Sequence, residues 1–388
     1  MADAPDAARA GAQDAARADD AFGADLFPRL GSGDGNMIFS PASIAAALRM
    51  ALLGARGETA AQLAATLHLA GPQGAADGLR LLSARLAGLG RGDVTFRAPN
   101  TMWVQTGLPL LPQFTGALDG MAGMAATVRD ADFAHAADQA RLEINAAIAE
   151  QTAGKIANLL GPGVIDTATR LVLANAVYLK AAWAHPFPPG ATADAPFHPG
   201  SGAEIVVRMM RLAARLGYRR GNGYQAVVLP YAGQELAMAV VLPDGPLAPM
   251  EERLASGGIR GLLAGAGQQQ VRLALPGFRL TAAASLRQPL EALGARLAFS
   301  REDADFSGIT AATRLWIDEV VHQAYIDVDE QGTEAAAATA TAVATARFAV
   351  PGPPPVEVTV DRPFLFAITD TATGLPLFLG RVTNPLAG

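Results

Sequence analysis

The side chains best suited to acid–base or metal chemistry near neutral pH are five histidines, His68, His135, His185, His198 and His322. Their spacing carries no such chemistry. There is no His-Glu-x-x-His pair to hold zinc and no Gly-x-Ser-x-Gly turn to present a nucleophilic serine. Cysteine is absent, which removes thiolate ligands, cysteine nucleophiles and disulfides together. The run DVDEQG, Asp327 to Gly332, copies the first half of a calcium loop, but its twelfth position is Ala338 where a bidentate glutamate is required. GSGDG, Gly31 to Gly35, precedes a short strand instead of joining a strand to a helix, so it reads as a turn and not as a phosphate loop. Arg208, Arg211, Arg215, Arg219 and Arg220 form the one basic cluster and read as a solvated strand face. No catalytic group, metal or cofactor is expected.

One stretch is built for a different kind of chemistry. DEQGTEAAAATATAVATARFAVPGPPPVEVTV, Asp329 to Val360, follows Gly332 with a proline-free run of alanine, threonine and valine. Numbered as a strand, Thr333, Ala335, Ala337, Thr339, Thr341, Val343 and Thr345 face one way, and Glu334 with the even-numbered alanines faces the other. Every side chain after Glu334 in this run is small. Such a strand can enter a crowded gap and donate every ladder hydrogen bond, with Gly332 as the pivot at its entrance. A flexible linker or a short alanine helix fits the composition equally well.

The elements that would position this segment are legible around it. Phe22, Leu26 and Leu30 share a helical face, as do Ile44, Leu48 and Leu52. Ser40 can cap the second helix and Pro41 suits its first turn. Further helical patterns cover ETAAQLAATLHL, Leu82 to Leu89, and Leu142 to Ile156. Strands are predicted at VTFRAPNTMWVQ, LVLANAVYLK, ELAMAVVLP, VRLALP, LWIDEVVHQAYIDV, VEVTV, PFLFAIT and LPLFLGRV. Helices come early and strands late, without regular alternation, which predicts an α+β fold. Residues 1–20, rich in alanine and aspartate, read as a flexible lead-in, and residues 21–388 as one domain.

Composition narrows the partners. Thirty basic against 36 acidic side chains leave no general footprint for nucleic acid. No apolar run reaches the roughly 18 residues that span a bilayer, so no membrane partner is expected. The N-terminus lacks the order of a signal peptide, which leaves a cytoplasmic location open alongside a secreted or periplasmic one for a processed chain.

The flanks of the small-residue run resemble a known family. VHQAYIDVDEQGTEAAAAT and VTVDRPFLFAITDTATGLPLFLGRVTNP are similar to the reactive-loop hinge and the C-terminal signature of the serpins. NMIFSPASIAAALRMALLGARGETAAQL, LVLANAVYLKAAW, LPYAGQELAMAVVLPD and ADFSGI are similar to four further blocks, in the family's order. The resemblance implies a single α+β domain with three sheets, about nine helices and an exposed reactive-centre loop, here about residues 330–356. It also implies a suicide substrate. A target protease attacks a scissile bond in the loop and is acylated through its own nucleophile, and the loop then inserts into the central sheet and distorts the trapped enzyme.

Residue by residue, Glu330, Gln331, Gly332, Thr333, Glu334, Ala335, Ala336, Ala337, Ala338 and Thr339 follow the hinge pattern of inhibitory members. The family's spacing implies a scissile bond at Ala346–Arg347, with Arg347–Phe348 as the alternative register. The first predicts an elastase- or subtilisin-like target, and the second a trypsin-like one. Ser40, Ser43, Asn175 and His322 match the polar cluster under the central sheet, and Trp183 matches the tryptophan where the loop first enters. The expected partner is therefore a serine protease, met by a monomer that is not itself an enzyme. The alternative is a non-inhibitory serpin fold used as a binding or chaperone-like protein.

Overall fold

The computed structural model describes residues 4–31, 35–71, 73–89, 94–119, 126–333 and 354–387. The chain opens with a helix, α1 (Ala4–Leu30), a short strand β1 (Met37–Phe39) and three more helices, α2 (Pro41–Gly54), α3 (Gly57–Thr66) and α4 (Gln73–Leu89). β2 (Val94–Arg97), β3 (Asn100–Gln105), α5 (Pro112–Asp119), β4 (Ala126–Ala131), α6 (Phe133–Gln151) and β5 (Leu171–Ala182) follow. The second half is mainly strands: β6 (Ala193–Phe197), β7 (Ile205–Gly221), β8 (Tyr224–Pro230) and β9 (Leu236–Pro243), then α7 (Ala248–Leu263), β10 (Gly267–Pro276), β11 (Phe278–Ser285) and α8 (Arg287–Ala292). It ends with β12 (Glu319–Val328), β13 (Gly332–Thr333), β14 (Val356–Thr359), β15 (Phe364–Asp370) and β16 (Pro376–Val382). This is the α+β class expected, with eight α-helices among the described residues. α6 and α7 each break inside, at Ala136 and Gly258.

The strands form two hydrogen-bonded networks, one of seven strands in the order β11-β12-β13-β5-β3-β4 with β2 on β5, the other of nine. The larger one divides at β7. Its first part pairs with β6 and β10, and only Gly217–Gly221 pairs with β8. One 17-residue strand thus belongs to two sheets, so the expected three sheets appear as two continuous ladders.

α2 sits between the networks, packed on β3 and β5 on one side and β16 on the other. Its predicted stripe, Ile44, Leu48 and Leu52, is buried, and so is the opposite side, where Ala42 and Ala46 allow close approach. Ser40 caps it by accepting the Ser43 N–H at 3.2 Å, with Pro41 in the first turn. α6 begins nine residues before the predicted Leu142, because Asp132 caps it through the His135 N–H at 3.2 Å. Among the described residues no helix is long and apolar enough to cross a membrane.

The expected flexible lead-in is corrected by the structure. Residues 4–30 are helical, and Ala12, Ala15, Ala16, Ala18, Asp19 and Asp20 are buried. Small residues let α1 lie close to its neighbours: a Cβ on Gly23 would sit 2.7 Å from Pro41 and one on Gly11 2.8 Å from Leu81. The two aspartates are spoken for. Asp19 pairs with Arg49 of α2, with both side chains fully buried. Asp20 accepts the N–H groups of Ile259 (3.0 Å) and Arg260 (3.3 Å) where α7 restarts after Gly258. Replacing Asp19 by alanine would strand a buried guanidinium, and a loss of about 3–5 kcal/mol is expected. A urea midpoint unchanged from the parent would contradict that.

Candidate functional site

Three strands meet where the small-residue run begins. β5 and β12 pair directly and in parallel from Glu319↔Val172 to Tyr325↔Tyr178. Above Tyr325 they part, and β13 fills the opening, with Gly332 opposite Ala182, and Thr333 opposite Ala181 on one side and Val328 on the other. Gly332 is required by crowding as much as by conformation. A Cβ there would collide with the Ala181 carbonyl oxygen and lie 2.7 Å from Ala182 Cα. Asp329 shapes the turn into β13 by accepting the N–H groups of Gln331 (2.8 Å) and Gly332 (3.1 Å), so the carboxylate at the third position of the apparent calcium loop serves the backbone.

Trp183 anchors the same corner. Its indole N–H donates to the Asp329 carbonyl at 3.0 Å and its backbone N–H to the Gln331 carbonyl at 2.8 Å. Phe187 donates its N–H to the Glu330 carbonyl at 2.8 Å. The indole stacks on Tyr231, centroids 4.5 Å apart and planes 11° off parallel, and the Tyr231 hydroxyl bonds Thr333 Oγ1 at 2.7 Å. Burial pushes the Tyr231 phenol well above its ordinary value, so it stays neutral. Tyr231 was not singled out from sequence. Its only signal is its place in the block LPYAG, since an aromatic after a strand looks like any core residue.

Lower down the same seam lies a wholly buried polar cluster. Ser40, Ser43, Asn175 and His322 come together, joined by Asn100, which sequence reasoning missed. His322 Nε2 accepts the Ser40 N–H at 3.1 Å, which places the ring proton on Nδ1, donating to Asn175 Oδ1. The Asn175 amide donates in turn to Ser43 Oγ (2.5 Å), to the Ser43 carbonyl (3.1 Å) and to Asn100 Oδ1. His322 and Asn175 are direct register partners across the β5–β12 seam, so parting these strands breaks the bond between them. The outer face of the seam is covered by α6, whose Ile144 and Ile148 pack with Val172, Ala174, Val321 and Tyr325.

Burial lowers the His322 imidazole from its ordinary value of 6.5 to about 3. Between those values an exposed His322 binds a proton that the closed cluster refuses, so stability rises with pH across the window and falls on acidification from 6.5 towards 3. The expected slope is about 1.4 kcal/mol per pH unit. Melting temperatures of the parent and of His322→Ala should therefore converge as pH falls. Parallel pH curves would contradict the assignment.

The remaining predicted residues, Glu334, Ala335, Ala336, Ala337, Ala338 and Thr339 of the hinge and Ala346, Arg347 and Phe348 at the scissile bond, lie outside the described residues.

The sequence pattern of the family described as Serpin (serine protease inhibitor) matches residues 17–385. The chain belongs to the serpin family. Similar proteins include the leukocyte elastase inhibitor of Bos taurus, 37% identical over 94% of this chain and 97% of the relative. An uncharacterized serpin-like protein of Thermococcus kodakarensis is 36% identical, over 95% of this chain and 85% of that one. Among solved structures, Serpin48 of the insect Tenebrio molitor is similar with a TM-score of 0.84 and 31% identity, covering 96% of this chain and 98% of the other. As a serpin the chain is a protease inhibitor and not an enzyme, and its partner is a protease.

Proposed function

We propose that this serpin traps serine proteases as a suicide substrate. The protease serine oxygen attacks the Ala346 carbonyl carbon, the bond to the Arg347 nitrogen breaks, and the new amine leaves with a proton while the enzyme stays esterified to Ala346. The freed strand then continues β13 downward between β5 and β12, faster than water can cleave the ester.

The observation that carries this reading is the register of β13. Thr339 is six residues beyond Thr333, and six residues back from Ala181 and from Val328 are Asn175 and His322. The inserted strand would thus place Thr339 between the two residues whose bond holds the seam shut. It shares parity with the inward-facing Thr333, so its hydroxyl would meet the Ser40–Asn175–His322 cluster and take over the lost bond. The small residues from Ala335 to Ala338 let the strand pass.

Ala346 at the scissile bond fits a small specificity pocket, and similarity to leukocyte elastase inhibitors supports an elastase-like target. Incubation with elastase, subtilisin and trypsin tests this. A complex that survives boiling in detergent is expected with the first two, together with a released C-terminal peptide starting at Arg347. A peptide starting at Phe348 would move the bond by one residue and favour trypsin. Cleavage without any stable complex would point to a non-inhibitory serpin.

A further inference from the structure

From Arg208 to Arg220 the chain carries five arginines and no acidic residue, although the whole protein has a net charge of −6. On β7 these arginines divide by task. Arg220 makes a two-point pair with Asp244 (2.9 and 2.8 Å), and Arg219 donates to the Gly261 carbonyl at 3.1 Å and to that of Ala264 at the end of α7. Both fasten β7 to its surroundings. Arg208 lies 3.5 Å from Asp194. Arg211 reaches only the carbonyls of Ala191 (3.4 Å) and Met209 (3.5 Å), and Arg215 meets no acceptor among the described residues. Both are exposed.

Their place gives these two charges a use. Arg211 pairs in register with Ala274 and Arg215 with Gln270, both on β10, and β10 in turn pairs with β14. Arg211 and Arg215 are therefore about 13 Å apart along β7 and about 10 Å, two strand spacings, from β14. β14 starts at Val356, where the chain returns from the reactive loop. The described residues that follow the reactive loop therefore border this face.

We propose that Arg211 and Arg215 form a secondary docking site for an acidic surface of the target protease, continuous with the reactive loop. The inference rests on the inhibitory reading above. Two separated guanidiniums match individual carboxylates on a folded surface. A sulfated chain or nucleic acid would need contiguous cations, and here the one cation in register between the two, Arg272 opposite Ala213, is paired with Glu357. Such charges act at the encounter step, speeding association in a salt-dependent way while leaving loop insertion unchanged.

The test compares the parent with the double variant Arg211→Gln/Arg215→Gln, after checking that the two melt alike. Association rates are measured over a range of sodium chloride with a subtilisin-type protease of net negative charge and an elastase of net positive charge. With the negative enzyme the variant should associate about three- to tenfold more slowly at low salt, and the gap should close towards 0.5 M salt, on the order of the effect two charges exert on steering. With the positive enzyme it should associate equally fast or faster. Equal rates of parent and variant with the negative enzyme would overturn the proposal, as would the same loss with both enzymes. Retention on a sulfated resin that depends on these arginines, with protease rates unaffected, would overturn it in favour of a polyanion. If the parent forms no covalent complex, the inhibitory reading fails by itself, and the kcat/KM for loop cleavage by the negative enzyme still reports whether the arginines dock it.

Discussion

Replacing Thr333 by arginine is expected to abolish covalent trapping and leave a chain that proteases simply cut. Thr333 is fully buried between Ala181 and Val328, with its hydroxyl on Tyr231. It is the last described residue before the segment proposed to insert, so every later residue must follow the path it opens. An arginine there would have to leave a charge among Ala181, Val328 and Tyr231, none of which can neutralise it, or stay out, which keeps the entrance shut. Trapping is a race between insertion and deacylation. Raising the insertion barrier by about 3 kcal/mol slows it roughly a hundredfold, enough to let the ester hydrolyse first. The protease should be released active and the inhibitor consumed. Thr333→Val, which keeps the volume and loses only the hydroxyl, should still trap. A Thr333→Arg variant that trapped at the parent's stoichiometry would contradict the proposed entry point.

The second large effect concerns heat. A nick in the loop should raise the melting temperature by about 10 °C. Insertion adds about a dozen residues paired on both sides, each contributing two ladder bonds, about 2 kcal/mol together, against about 1 kcal/mol for ordering its backbone. The surplus is on the order of 10 kcal/mol, and about 1 °C per kcal/mol suits a chain of this size. The uncleaved form is then held by a barrier instead of by its depth. The buried cluster around His322 belongs to that barrier, and spontaneous loss of inhibitory activity on storage should be faster in His322→Ala than in the parent. A nicked chain that melts with the intact one would contradict the stored surplus.

Legibility from sequence followed the kind of physics each residue obeys. Local rules carried far: Ser40 with Pro41 announced the start of α2, and alternation or apolar runs announced most strands. VTFRAPNTMWVQ divided into β2 and β3, because Pro99 cannot donate to a ladder. Composition left the small-residue run open between linker, helix and inserting strand, and the expectation of a hinge came from flanks similar to the family's; the polar cluster was readable because its members fall in blocks of the same kind.

What sequence could not convey was partnership across long separations. Asp19 and Asp20 look like solvent-loving residues of a frayed end until Arg49 and the α7 amides are seen to neutralise them. Asn100 looks like a turn residue until its side chain is found between Ser43 and Asn175. The arginines of β7 showed the same limit. A single cluster in sequence became fasteners at Arg219 and Arg220 and exposed charges at Arg211 and Arg215 only once their neighbours were placed.

A crystal structure of the nicked chain measures the central claim most directly. The account predicts a continuous new strand from Gly332 onward between β5 and β12, with Thr339 separating His322 from Asn175 and Tyr325 no longer beside Tyr178. A nicked chain in which β5 and β12 still pair from Glu319↔Val172 to Tyr325↔Tyr178 would contradict it.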